Sequence, residues 1–223
     1  MTADELKAKD WHAWHAGYDD PESSLSRRLA CVQERITHFL DAAAPGPVNV
    51  ISICAGQGRD LLGVLEKHER AGDVQALLVE LDPRNAQIAT EHAAAAGLTG
   101  VTVLVGNAAL TDNYLERAPA DLVLVCGVFG NISDADIERT IGHCAALCKP
   151  GGAVIWTRHR REPDMVPHIC DWFASNGFTL EFVTEPLAAA DLSFGAGMHR
   201  HTGRARSLQP DATMFTFRGR APE

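Results

Sequence analysis

The feature that most constrains this chain is a rhythm. From Val48 onward, short apolar runs alternate with segments of helical period. Strands are predicted at Val48–Cys54, Ala76–Leu81, Val101–Val105, Asp121–Cys126 and Ala153–Thr157. Helical segments lie between and after them, at residues 59–70, 83–96, 134–148 and 165–176. Strand and helix in alternation define an α/β fold with a parallel, doubly wound sheet. The early strands read as continuous apolar runs rather than alternating ones, which fits burial on both faces. Two more strands are predicted, at Phe178–Thr184 and Thr213–Phe217. A Gly-rich, basic loop from about Ala188 to Asp211 joins them without a helix. Strands connected in that way should be antiparallel or irregularly linked.

Ahead of the sheet, residues 1–44 read as a helical extension and residues 45–223 as the sheet domain. Leu25, Leu29, Val32, Ile36, Phe39 and Leu40 recur at three and four, one stripe of an amphipathic helix. Asp20-Pro21 is a start signal, and Pro45-Gly46-Pro47 breaks the pattern. Before the helix comes DWHAWHAGYDDP, an aromatic segment read as a cover for a site. Trp14 and Tyr18 are its candidate substrate contacts, since an aromatic ring can stack on a flat molecule. Packing of Trp11 and Trp14 onto the sheet is the competing reading.

Composition bounds the partners. At 46% hydrophobic the chain can bury a core, and with 20 basic against 29 acidic residues it carries a charge of -9. That sign disfavours a general nucleic-acid or membrane-surface binder, because phosphates are repelled at long range. The apolar runs fall short of the ~18 residues that span a bilayer. Met1–Asp10 mixes acids and lysines, so no signal peptide and a cytoplasmic location are expected. Six cysteines show no CxxC pairing and read as reduced core residues. Cys144 and Cys148 share a helix face, but no second ligand pair accompanies them, so no metal site is expected.

In a parallel sheet, ligands bind beyond the carboxyl ends of the strands. The first strand ends in Ala55-Gly56-Gln57-Gly58, where glycines allow close backbone approach and a sharp turn into a helix. The second ends in Glu80, 22 residues past Gly58 (80 − 58), where a carboxylate can accept both hydroxyl hydrogens of a ribose. Asp82 before Pro83 reads as a helix N-cap. The third ends in Asn107, whose amide can pair with an adenine edge or cap the turn ahead of Tyr114. The fourth ends in Cys126-Gly127-Val128-Phe129-Gly130, where Phe129 between two glycines reads as a contact to a bound molecule.

Taken in order, ISICAGQGRD, LLVELDPRN, VLVGNAA, DLVLVCGVFGNIS and KPGGAVIW resemble the motifs of class I S-adenosylmethionine-dependent methyltransferases of the small-molecule type. The resemblance covers roughly residues 45 to 184, and the final strand fits it too. It implies a seven-stranded sheet in the order 3-2-1-4-5-7-6 with strand 7 antiparallel. It implies S-adenosylmethionine as cofactor and S-adenosylhomocysteine as product. By position, Ala55, Gly56 and Gly58 should pack against the methionine part and Glu80 should hold the ribose. Leu81 and Asp82 should lie beside ribose and adenine, Asn107 and Ala108 against adenine, and Cys126 and Gly127 along the path to the sulfonium. The fourth strand lacks the Asn/Asp-Pro-Pro-Tyr tetrapeptide of amino-methylating nucleic-acid enzymes. It also lacks the terminal Asp of metal-dependent catechol-type relatives. Neither base methylation nor magnesium dependence is therefore expected.

Methyl transfer from a sulfonium needs a base only when the acceptor starts protonated. His199 and His159 are the leading candidates, followed by His15 and His201. Two basic clusters, Arg158-His159-Arg160-Arg161 and His199-Arg200-His201 with Arg204 and Arg206, would receive an anionic substrate if they converge. Two other functions compete. A nicotinamide-dependent oxidoreductase would want Gly or Ala three residues past Gly58, where Leu61 stands. A nucleotide-binding domain serving only as a scaffold is the second. The expected function is methyl transfer to a small-molecule acceptor.

Overall fold

The computed structural model describes residues 10–186 and 194–218. Seven strands form one sheet in the order β3-β2-β1-β4-β5-β7-β6. They are β1 (Val48–Ile53), β2 (Val74–Glu80), β3 (Val101–Val105), β4 (Ala120–Val125), β5 (Cys148–His159), β6 (Phe178–Val183) and β7 (Phe194–His201). The first five pair in parallel, and β7 runs antiparallel to both β5 and β6. The order turns back at β1 and β4, so their carboxyl ends open a crevice.

Helices cover both faces. Among the described residues these are α1 (Trp11–Trp14), α2 (Ser24–Ala42), α3 (Arg59–Leu65), α4 (Pro83–Ala95), α5 (Asp134–Leu147) and α6 (Val166–Ser175). One core lies under α2, α3 and α4, where Val32, Ile36, Leu61 and Ala89 meet Val50, Leu78 and Ile155. The other lies under α5 and α6, where Ile137, Ile141 and Phe173 meet Ile51, Val123 and Trp156. Side chains alternate across each strand, so both cores are filled by the same strands. Residues 10–44 thus contribute their long helix to the same body as the sheet.

The helix starts follow from capping chemistry. Ser23 Oγ accepts from Ser26 N at α2, Asp82 from Arg84 N at α4, and Ser133 from Asp136 N at α5. Pro83 stands in the first turn of α4, where its missing N–H is no loss. α2 begins a few residues later than the Asp20-Pro21 signal, because Ser23 supplies the cap.

The last strand corrects the sequence reading. It is Phe194–His201, inside the stretch read as a loop, and Thr213–Phe217 makes only isolated bridges, Leu110 to Thr213 and Ile132 to Phe217. The cause is visible at two glycines. A Cβ at Gly197 would lie 2.4 Å from the Trp156 ring, and one at Gly195 2.4 Å from Val166 Cγ2. Dense packing over β7 demands glycine in a strand, and glycine in a sequence reads as a loop. Met214 and Phe215 are buried without belonging to the sheet, which explains the apolar run there. No helix among the described residues is long and apolar enough to cross a membrane.

Candidate functional site

The site begins where β1 ends. The chain turns through Cys54 and Gly56, each with φ 56°, and Gly58, with φ 69°. Gly58 N donates to Ala55 O (2.8 Å), closing the turn, and Ala55 N donates to Val79 O (3.0 Å). A Cβ on Gly58 would stand 2.7 Å from Leu62 Cδ1 and 3.0 Å from Leu78 Cδ2. Glycine is therefore required there both by backbone conformation and by space. Cys54 is a non-glycine residue in the left-handed region, a strained position of the sort that persists where surrounding structure fixes it.

Glu80, the last residue of β2, is 8% exposed. Its Oε2 accepts from Gly56 N and its Oε1 from Asp82 N, both at 2.8 Å. Burial raises its pKa while the two amide bonds oppose the rise. The carboxylate is thus tied between the loops after β1 and β2, at the edge of a cleft. Asp82 caps α4 as expected and also holds the Arg84 side chain at 2.6 Å. After β3, Asn107 Oδ1 accepts from Ala109 N (3.1 Å), and Tyr114 OH donates to Ala108 O (2.8 Å). Asn107 therefore makes the local capping bond that was its alternative reading. After β4, Gly127 N donates to Thr157 Oγ1 (2.8 Å) and Gly127 O accepts from Asn131 Nδ2 (2.6 Å).

These strand ends enclose a cleft of about 650 Å³. Ala55 and Gly56 line it from β1, and Glu80, Leu81 and Asp82 from β2. Asn107 and Ala108 line it from β3, and Cys126 and Gly127 from β4. Gly58 shapes the turn from beneath, against Leu62 and Leu78. Trp14 and Tyr18 line the opposite wall, edge to face at 5.7 Å. Arg28 Nη2 donates to Tyr18 OH (3.2 Å), and the Arg59 guanidinium lies 5.3 Å from the centre of the Tyr18 ring. Burial raises the Tyr18 pKa. Asp10 pairs with Arg84 (3.0 Å) and Asp19 with Arg59 (3.5 Å), tying residues 10–19 to the loops they face.

Sequence reasoning missed Arg28 and Asp60, which also line the cleft. Arg28 carried a signal: it sits three residues after Leu25 and four before Val32, a charge inside an apolar stripe. Asp60 Oδ1 accepts from Leu61 N (2.8 Å), and burial raises its pKa. Its carboxylate faces the Cys126 thiol, whose own pKa is raised by burial and by that carboxylate. A buried acid with one chain of hydrogen bonds and a neighbouring Arg has no local sequence signature.

Other predicted site residues lie elsewhere. Phe129 is fully buried and packs 6.1 Å from Trp156, because the β4–α5 turn folds its ring into the core. His199, on β7, is 1% exposed; its Nδ1 accepts from Trp156 Nε1 (3.0 Å) and its ring stacks on Phe173 at 4.4 Å. Burial pushes its pKa down to about 4. Strand alternation turns it to the face under α6 rather than to the cleft. His201 is likewise interior, with Nδ1 at 2.8 Å from Cys148 O. His159 ends β5, with its Cδ2 3.5 Å from where a Gly130 Cβ would be. The side chain of His15 lies outside the described part of the structure. The two basic clusters do not converge. Arg200 binds Glu181 through two bonds of 2.8 Å, and Arg160 pairs with Asp164 at 2.6 Å.

With this geometry in view, residues 50–152 match the family model described as a methyltransferase domain. Comparison with curated protein sequences gives no match. Among solved structures, the CurJ carbon methyltransferase is 14% identical with a TM-score of 0.63, covering 84% of this chain and 58% of its own. An O-methyltransferase family protein from Burkholderia thailandensis is 17% identical, TM-score 0.59, covering 93% and 68%. An rRNA methylase from Streptococcus thermophilus is 14% identical, TM-score 0.56, covering 76% and 95%. At these identities the likeness is one of fold, and this chain spans just over half the length of the first. The matched methyltransferase domain and the sheet order are those of the class I S-adenosylmethionine-dependent methyltransferase fold. S-adenosylmethionine is the methyl donor of that class and S-adenosylhomocysteine its product.

Proposed function

We propose that this chain methylates a small molecule in the cleft at the carboxyl ends of β1, β2 and β4. The observation that carries the reading is Glu80, a buried carboxylate fixed by two backbone amides at the cleft edge. The residues present fit the cofactor. Glu80 suits a ribose diol, with Asn107, Ala108 and Leu81 beside it toward β3 for the base. At the β1–β4 end, the Arg28 guanidinium suits a carboxylate, and Asp60 suits an ammonium. When bound, the cofactor supplies a methyl group already activated by its sulfonium. The protein then has to position an acceptor in line and exclude water. Trp14 and Tyr18 cover the cleft, so residues 10–44 act as its lid as well as part of its core. Gly127, Thr157 and Arg218 border the acceptor end.

Two observations favour a small acceptor over a nucleic acid. Arg59 and Arg84 at the cleft are each paired with a carboxylate, and the chain carries -9 overall. His199 is not the base in this reading, since its ring is in the core. The test is incubation with methyl-labelled S-adenosylmethionine and, in parallel, a metabolite extract or total RNA. Label in the low-mass fraction supports the reading, and label in RNA alone overturns it.

A further inference from the structure

At the β5 end of the cleft, cations gather in a protein that is otherwise acidic. Arg218 lines the cleft and is held there by its backbone, since Arg218 N donates to Asn131 O (2.8 Å). Its neighbour Phe217 bridges to Ile132. Arg158 is only 6% exposed. One of its terminal nitrogens donates to Phe129 O, and its buried Nε has no hydrogen-bond partner among the described residues. His159 follows, its buried Nδ1 likewise without a partner among the described residues. A Cβ placed on Gly130 would lie 3.5 Å from His159 and 4.0 Å from Arg158 Nη1, so both side chains flank the loop that carries Asn131.

Among the described residues, the carboxylates that act on Arg158 are those of Asp134 and Asp164. Asp134 faces Arg218 at 3.7 Å and is half exposed. Asp164 is engaged by Arg160 and by Val166 N. Burial above all, and then Arg158, Arg161 and Arg218, hold the His159 pKa down. A buried Arg158 Nε–H without a partner among the described residues, beside guanidiniums that outnumber the described carboxylates, forms a local surplus of positive charge and hydrogen-bond donors. The surplus sits next to Gly127 and Thr157, on the opposite side of β4 from Glu80 and Asn107. That is the part of the cleft left to the acceptor once the cofactor lies along β3, β2 and β1.

We infer that the methyl acceptor is an anionic small molecule, whose carboxylate or phosphate docks on Arg218 with Arg158 and His159 behind it. The inference rests on the cofactor reading above and narrows its substrate class. A planar guanidinium fork matches either oxyanion, and an anion there would anchor one end of the acceptor while the other faces the sulfonium.

The test uses the full chain saturated with S-adenosylhomocysteine. Benzoate and inorganic phosphate serve as separate probes, followed by saturation-transfer NMR for benzoate and by displacement of benzoate for phosphate. The expected result is benzoate or phosphate binding that weakens about tenfold in Arg218→Gln, the effect of losing one charge-assisted pair. Arg218→Lys should restore part of it, and S-adenosylhomocysteine affinity should not change. Which probe binds more tightly separates carboxylate from phosphate acceptors. With S-adenosylhomocysteine bound, no binding of either probe, or equal binding by Arg218→Gln, overturns the inference. So does Arg218-dependent binding of a short single-stranded RNA that neither probe can displace. Failure of wild-type protein to bind S-adenosylhomocysteine at all would instead overturn the cofactor reading itself.

Discussion

The Gly56 amide donates to the Glu80 carboxylate over 2.8 Å, joining the loop after β1 to the end of β2. Two segments that are 24 residues apart thereby form one wall of the cleft. The bond also explains how an acid can be buried at a strand end. Two backbone amides stabilise the ionised form against the desolvation that raises its pKa. The cleft edge is thus organised by its own backbone around the carboxylate that a ribose would address.

The amino-acid end of the cofactor gives a separable prediction. Arg28 and Asp60 stand at the β1–β4 end of the cleft, away from Asn107. Arg28→Gln and Asp60→Asn should each weaken S-adenosylhomocysteine binding by roughly tenfold. Neither should alter binding of 5′-methylthioadenosine, which lacks the amino-acid part. Equal losses for both ligands in calorimetry would mean that the two residues act on the fold rather than on the ligand.

Cys54 and Gly58 share left-handed backbone, and both positions should favour glycine over alanine. At position 54, glycine should be more stable than alanine by about 1 kcal/mol, because only glycine escapes the left-handed penalty. Gly58→Ala should destabilise by about 2 kcal/mol, since strain adds to the contact with Leu62 and Leu78. Chemical denaturation of the three variants measures both.

His199 makes stability depend on pH with a definite sign. Its folded-state pKa is depressed from 6.5 to about 4, so the fold favours the neutral ring. That contribution is complete above pH 6.5 and is lost as pH falls through about 4. Over that interval wild-type protein should lose up to about 3 kcal/mol through this group. His199→Gln keeps an acceptor for Trp156 but does not titrate, so its unfolding free energy should fall less steeply with acid. Its affinity for S-adenosylhomocysteine at neutral pH should equal that of wild type. A parallel pH dependence in the two proteins would refute the assignment.

Much of this architecture can be read from residue order alone. The runs at Val48, Ala76, Val101, Asp121 and Ala153 are apolar because helices cover both faces of the strands they form, and that doubled burial is what makes them legible. The glycine turn and Glu80 are legible for a related reason: each lies where a buried run stops. β7 was not legible, because Gly195 and Gly197 give way to Val166 and Trp156, contacts made across the sheet. The same applies to His199, whose face is set by strand alternation in an element that reads as a loop. Phe129 between two glycines reads as a contact to a bound molecule, yet the turn after β4 carries the ring into the core. Arg28 was within reach, as a charge in an apolar stripe. Asp60 was not, since only the fold brings it to Cys126.

The most direct test of the account is calorimetric titration of the full chain with S-adenosylhomocysteine, comparing wild type with Glu80→Ala and running NADH in parallel. The account predicts binding by wild type, a loss of roughly hundredfold in Glu80→Ala, and no response to NADH. Binding of NADH without S-adenosylhomocysteine, or an affinity for S-adenosylhomocysteine that Glu80→Ala leaves intact, would contradict it.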